Sequence, residues 1–133
     1  MTYPEDFDDL HISIKEEFLL LKKEVRIAYC MHLLEAEVNN GGFHQFFSNS
    51  SGEYVPETAY ALAEVGAEKT AGLLARAVKL GFPKGYPSNA CDYETALEDT
   101  EDIADDLEAL DTAFFRYDEP LSELVNQYLA KYA

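Results

Sequence analysis

Apolar residues in this 133-residue chain return every three or four positions and nowhere alternate. That spacing lines them along one side of an α-helix, whereas a half-buried strand needs a period of two. Ile14, Phe18, Leu21, Val25 and Ala28, ending at His32, make one row; Leu20, Ile27, Met31, Leu34 and Val38 make a second beside it. The combined arc is wide, which predicts a central helix covered from more than one side. Ser13-Ile14-Lys15-Glu16 reads as its capping box and Asn39-Asn40-Gly41-Gly42 as its stop. Phe43, Phe46 and Phe47 follow at helical spacing and predict a short turn with an aromatic face. Pro56 opens a helix that Gly66 closes, and another runs from about Ala67 to Leu80, predicting a helical hairpin. Residues 82–91, with Pro83, Gly85 and Pro87, read as an irregular connection. One long helix is expected from Tyr93 to Phe114, with a break or bend allowed near Leu110–Thr112, and Pro120 starts a last helix. With residues 1–13 as an N-terminal arm, the reading is an all-α, compact bundle of about five to seven helices in a single domain.

A chain of this length, 47 % apolar, buries enough surface to fold without disulfides. Its two cysteines, Cys30 and Cys91, make no disulfide framework, and Cys30 in its apolar run is expected to be a buried thiol. No secretory leader reads at Met1–Asp6 and no run approaches the ~20 apolar residues of a membrane span, so a cytoplasmic protein is expected.

The charge is unusual: 26 Asp and Glu face 10 Lys and Arg, a net −16. Direct nucleic-acid binding needs clustered cations, and anionic membranes would repel this chain. Basic proteins are what its field attracts. Twelve carboxylates and one cation, Arg116, lie between Asp92 and Glu119, so this acidic helical segment carries −11. On one continuous helix Glu94, Glu98, Glu101, Asp105 and Glu108 form a row, with Asp99, Asp102 and Asp106 beside it. Like charges at i,i+4 destabilise a helix by roughly 0.2–0.5 kcal/mol per pair. A face that merely kept the protein soluble would mix signs. The pattern therefore reads either as a solvated face or as a line of carboxylates that imitates DNA phosphates. These eight residues are the candidate partner-binding set, and the partner class is a basic DNA-binding protein: a regulator, nuclease or toxin.

The segment Glu37-Val38-Asn39-Asn40-Gly41-Gly42-Phe43-His44-Gln45-Phe46-Phe47-Ser48-Asn49-Ser50-Ser51-Gly52, with Glu57-Thr58, Val65–Thr70, Phe82–Pro87 and Leu110–Phe115, resembles a bacterial helical family whose described member is a DNA mimic. The resemblance spans about residues 15–130. It implies an all-helical, often dimeric domain and, for that member, occupation of the DNA-binding surface of a transcription repressor. It implies no catalytic residue. Asn40, Gly41, Gly42, Phe43, Gln45, Phe46, Phe47 and Asn49 read as a structural motif, with Gln45 and Asn49 expected to hydrogen-bond loop backbone. Phe114, Phe115, Tyr117, Tyr128 and Tyr132 could cover a homodimer interface.

Catalytic and metal chemistry is weakly represented. His32 and Glu35 stand at i,i+3 and Glu37 and His44 flank the glycines, but a di-iron bundle needs Glu-x-x-His twice. Cys30 and His32 at i,i+2 do not face each other on a helix. No phosphate loop, nucleophile elbow or zinc spacing occurs, so no enzyme, metal or cofactor is expected. Two other readings remain: an immunity-type inhibitor of a basic toxin or nuclease, and a small-ligand protein using the Asn39–Gly52 loop.

Overall fold

The computed structural model describes residues 18–89, 92–98 and 100–131. The capping box at Ser13, the N-terminal arm, Cys91, Asp99 and Tyr132 lie outside them. The described residues form six α-helices and no strand: α1 (Lys23–Ser48), α2 (Val55–Val65), α3 (Glu68–Gly81), α4 (Tyr93–Ala96), α5 (Thr100–Phe115) and α6 (Leu121–Ala130), with a 3-10 turn at Ser50–Tyr54. The expected all-α bundle is what forms.

α1 is the central helix, touching all five others and the 3-10 turn. Ala28, Met31, Leu34 and Val38 are buried along it, with Ile27, Tyr29 and Cys30 beside them, the wide arc its sequence carries. The single run expected from Ile14 is interrupted within the described residues, between helical Phe18–Leu19 and Lys23; Ile14 itself lies outside them. The chain turns at Leu20–Lys22, Lys22 is extended (φ −61°, ψ 150°), and Leu20 is 86 % exposed instead of inward. The reason is Phe18, whose ring lies 4.8 Å from Tyr54 and 6.1 Å from Tyr29. Seating that ring against the 3-10 turn fixes the Phe18–Leu19 turn of helix, and the chain bends after it, with Leu21 N–H on Phe18 C=O at 3.1 Å.

The glycine stop becomes a kink within α1. Gly41 (φ −158°, ψ 19°) and Gly42 (φ 77°, ψ −176°) leave the helix for two residues, and helix resumes at Phe43. Gly42's positive φ is open to glycine and strained for other residues. The resumed turn drives Phe43, Phe46 and Phe47 into the core, where Phe43 meets Phe114 edge-on at 5.9 Å and Phe47 meets Phe82 at 5.2 Å.

α2 and α3 form the expected hairpin. Gly66 adopts the left-handed conformation (φ 83°), and Ala67 N–H reaches Leu62 C=O at 2.9 Å while Gly66 N–H reaches Ala63 C=O at 3.2 Å. This paired bonding satisfies the last carbonyls of α2. Residues 82–89 are irregular, as expected, and pinned by Tyr86 O–H donating to Gly52 C=O at 2.6 Å.

The long helix expected from Tyr93 is two. Leu97 is extended (φ −67°, ψ 129°) and Glu98 N–H donates to Gly81 C=O at 2.6 Å. The end of α3 thus captures backbone that would have closed a helical turn. α5 then runs unbroken through Leu110–Thr112.

Candidate protein-binding face

α5 has a sharply divided surface. Ile103, Leu107 and Phe114 are buried and Leu110 is half-buried, a stripe of helical spacing that packs on α1 and α3. That stripe forces Glu101, Asp102, Asp105, Asp106 and Glu108 outward, and all five are exposed. Of the eight carboxylates singled out in sequence, these five share one helix. Glu94 is exposed but sits on α4, its Oε1 3.3 Å from the Tyr93 hydroxyl oxygen. Glu98 is half-buried at the break. The expected continuous row from Glu94 to Glu108 is therefore interrupted, because Leu97 leaves helical geometry.

Other carboxylates of the segment have partners within the chain. Asp118 lies 3.9 Å from Arg116. Asp111 turns inward, and its Oδ1 accepts Phe43 N–H at 2.8 Å. A Cβ at Gly42 would stand 2.3 Å from Asp111 Oδ2, so only glycine admits the carboxylate this close. Burial pushes the Asp111 pKa up; the Phe43 N–H pulls the other way, and neighbouring Glu108 adds to the rise. In the sequence Asp111 is one of the twelve carboxylates and part of the Leu110–Phe115 segment of the resemblance, with no individual role. The missed signal is spacing: Asp111 falls four residues after Leu107 and eight after Ile103, on the apolar stripe.

Glu119 is the second missed carboxylate. α3 begins after Ala67, which has no side-chain acceptor for the first N–H groups of that helix. Glu119 supplies it from 50 residues away, accepting Lys69 N–H at 3.1 Å, Thr70 N–H at 2.8 Å and Thr70 O–H at 2.8 Å. Burial raises its pKa, but those hydrogen bonds and the charge of Lys69 outweigh it and hold the carboxyl below its ordinary 4.5. A lowered carboxyl adds stability above the unfolded value and loses it as pH falls through the folded one. Glu119→Ala is expected to cost about 1–2 kcal/mol at neutral pH, a capping loss. The difference from the parent chain in urea denaturation should shrink below about pH 4.5; a pH-independent difference would refute the capping role.

The motif residues hold the kink together through side chains. Glu37 Oε2, before the glycines, accepts Gln45 Nε2 at 2.9 Å and Asn49 Nδ2 at 2.8 Å, both after them. The expectation that these amides bond loop backbone is corrected: one carboxylate staples the two halves of α1, because the kink brings positions 37, 45 and 49 onto one side. Asn49 C=O does accept Tyr93 O–H at 2.8 Å. Asn39 Nδ2 donates to Tyr117 O–H at 2.8 Å, and Tyr117 O–H donates to Glu35 at 3.2 Å. Asn40 and Gly41 are exposed at the bend. Gly42–Asp111, Phe43–Phe114 and Asn39–Tyr117 all join the motif to α5 or the residues just after it. The motif is thus what seats the acidic helix.

Among the five aromatic residues expected at an interface, Phe114 and Tyr128 are core residues, while Phe115 and Tyr117 are 50 % and 38 % exposed. Among the described residues no group of three or more His, Cys, Asp or Glu could hold a metal ion, and no helix is long and apolar enough to cross a membrane.

No curated protein and no solved structure matches the chain. The family model described as DMP19-like protein matches residues 20–132, taking in the kinked motif, the α2–α3 hairpin and the acidic helix it seats. The chain belongs to the DMP19-like protein family.

Proposed function

We propose that this chain is an acidic protein-binding domain that uses the outer face of α5 in place of DNA, blocking the nucleic-acid-binding surface of a basic partner such as a transcription regulator. The observation that carries this reading is the set of five exposed carboxylates on one face of a helix whose other face is fixed in the core. Glu101–Asp105 and Asp102–Asp106 are like-charge i,i+4 pairs, with Cβ atoms roughly 5–6 Å apart and a cost to the isolated helix. Keeping them together suits a surface selected for its field. Carboxylates in such a row meet the Lys and Arg of a DNA-binding groove as phosphates do. Membership of a family of DNA mimics supports the same reading. No catalytic role is assigned. A buried thiol at Cys30 suits the reducing cytoplasm. A homodimer through the C-terminal end would use Phe115 and Tyr117, and light scattering that returns 15.0 kDa at high concentration would remove it.

The test is a pull-down from host lysate with the native chain and with a bait carrying Glu101, Asp102, Asp105 and Asp106 changed to Lys, folding checked by circular dichroism. A DNA-binding protein retained by the native bait alone, and released by duplex DNA or by roughly 0.5 M salt, is the expected result. Equal retention by both baits, or retention indifferent to DNA, would exclude charge mimicry by this face.

A further inference from the structure

A concavity of about 390 Å³ opens beside the first turns of α1 and α2. That is the lower end of the range for small-molecule sites. Phe18, Ile27 and Pro56 give it an apolar wall, and the half-exposed Tyr60 ring stands at its edge. Its polar lining runs against the character of the chain. In a protein of net charge −16, Lys23 and Arg26 face this space with, among the described residues, one carboxylate, Glu57. Spacing explains the arrangement, since Lys23, Arg26 and Ile27 stand at i, i+3 and i+4 on one side of α1.

The two cations are differently placed. Lys23 is engaged at the rim, its Nζ 3.5 Å from Glu64 and 5.6 Å from the centre of the Tyr60 ring. Arg26 Nε is shielded from solvent and has no hydrogen-bond acceptor among the described residues. A buried donor on a charged group without an acceptor bears the full cost of its desolvation. Turning that N–H onto an acceptor bound in the concavity would recover that cost.

We propose that this pocket binds a small organic monocarboxylate with an apolar or aromatic body, the carboxylate accepting from Arg26 and the body lying between Phe18, Ile27 and Tyr60. A guanidinium presents a planar fork that matches a carboxylate. Glu57 in the wall and the field of the whole chain oppose a polyanion. The apolar wall gives an inorganic anion nothing to bury, and a phosphate monoester brings up to two charges against Glu57. None of these groups belongs to α5, so this site stands or falls separately from the partner face.

The experiment is calorimetric titration of the full chain with 4-phenylbutyrate and octanoate, alongside neutral 4-phenylbutanamide and octyl phosphate. Saturable one-to-one binding of the carboxylates is expected. The amide should bind at least about tenfold more weakly, the scale of one charge-assisted hydrogen bond. Arg26→Gln should lose about the same factor, Arg26→Lys less, and Arg76→Gln, on α3, nothing. Should Arg26→Gln fail to fold, the Arg26 Nε–H resonance of the unaltered chain decides, and it should move on adding 4-phenylbutyrate and stay still on adding the amide. Absence of saturable binding, equal affinity for the amide, tighter binding of octyl phosphate, unchanged affinity in folded Arg26→Gln, or a resonance that does not move would each overturn the assignment.

Discussion

Phe47→Ala is expected to destabilise the fold by about 3–5 kcal/mol. The ring is fully buried and meets Phe43, Phe46 and Phe82 at 6.3, 5.8 and 5.2 Å. It also packs against Gly81, where an added Cβ would lie 3.1 Å from the ring. Removing it opens a cavity where the end of α1 meets the end of α3, and Glu98 N–H on Gly81 C=O holds the α3 side in place. A domain of this size has a total stability of about 5–15 kcal/mol, so the variant should be marginal at 37 °C. Phe115→Ala, at a half-exposed ring, is the comparison and should cost no more than about 1.5 kcal/mol, half of a full burial. Urea denaturation followed by circular dichroism measures both. Comparable losses in the two variants would show that the aromatic turn is not the core element described above.

Asp111 should separate hydrogen bonding from charge. Asp111→Ala leaves the Phe43 N–H buried without an acceptor and empties the space that Gly42 keeps open, a loss of about 2–3 kcal/mol. Asp111→Asn keeps an oxygen for that N–H and removes the charge, so its cost should be much smaller. The pH dependence has a definite sign. Burial raises the Asp111 pKa above its ordinary 3.8, so the folded state favours the protonated acid. The parent chain therefore loses stability as pH rises from the ordinary value through the folded one, while the Asn variant has no proton there to lose. Relative to the parent, Asp111→Asn should gain between about pH 3 and neutrality, whereas Asp111→Ala should remain worse throughout. A parent-minus-Asn difference that moves the other way would mean that the N–H bond, not burial, governs this carboxyl. Because Asp111 shares α5 with Asp105 and Glu108, Asp111→Ala should also weaken any partner binding that needs the helix firmly seated.

The sequence by itself determined the class of fold, the central place of α1, the break at Gly41–Gly42, the α2–α3 hairpin and the outward direction of Glu101, Asp102, Asp105, Asp106 and Glu108 on α5. Each follows from local rules: side chains three and four apart share a helix face, glycine tolerates the conformations that end or bend helices, and a buried stripe fixes what points away from it. Tertiary structure alone decided where helices stop when the cause is a distant partner. The chain leaves helical register at Leu20–Lys22, next to a Phe18 ring seated on Tyr54, and Leu97 leaves it because Gly81 C=O takes the Glu98 N–H. It also decided which acidic residues are surface and which are framework. Glu37, Asp111 and Glu119 are indistinguishable in composition from their exposed neighbours, yet one staples the kink, one fills the space over Gly42, and one caps α3. A carboxylate's partner in a folded chain is whichever N–H the packing leaves unsatisfied nearby, and for Asp111 and Glu119 that donor lies 68 and 49 residues away.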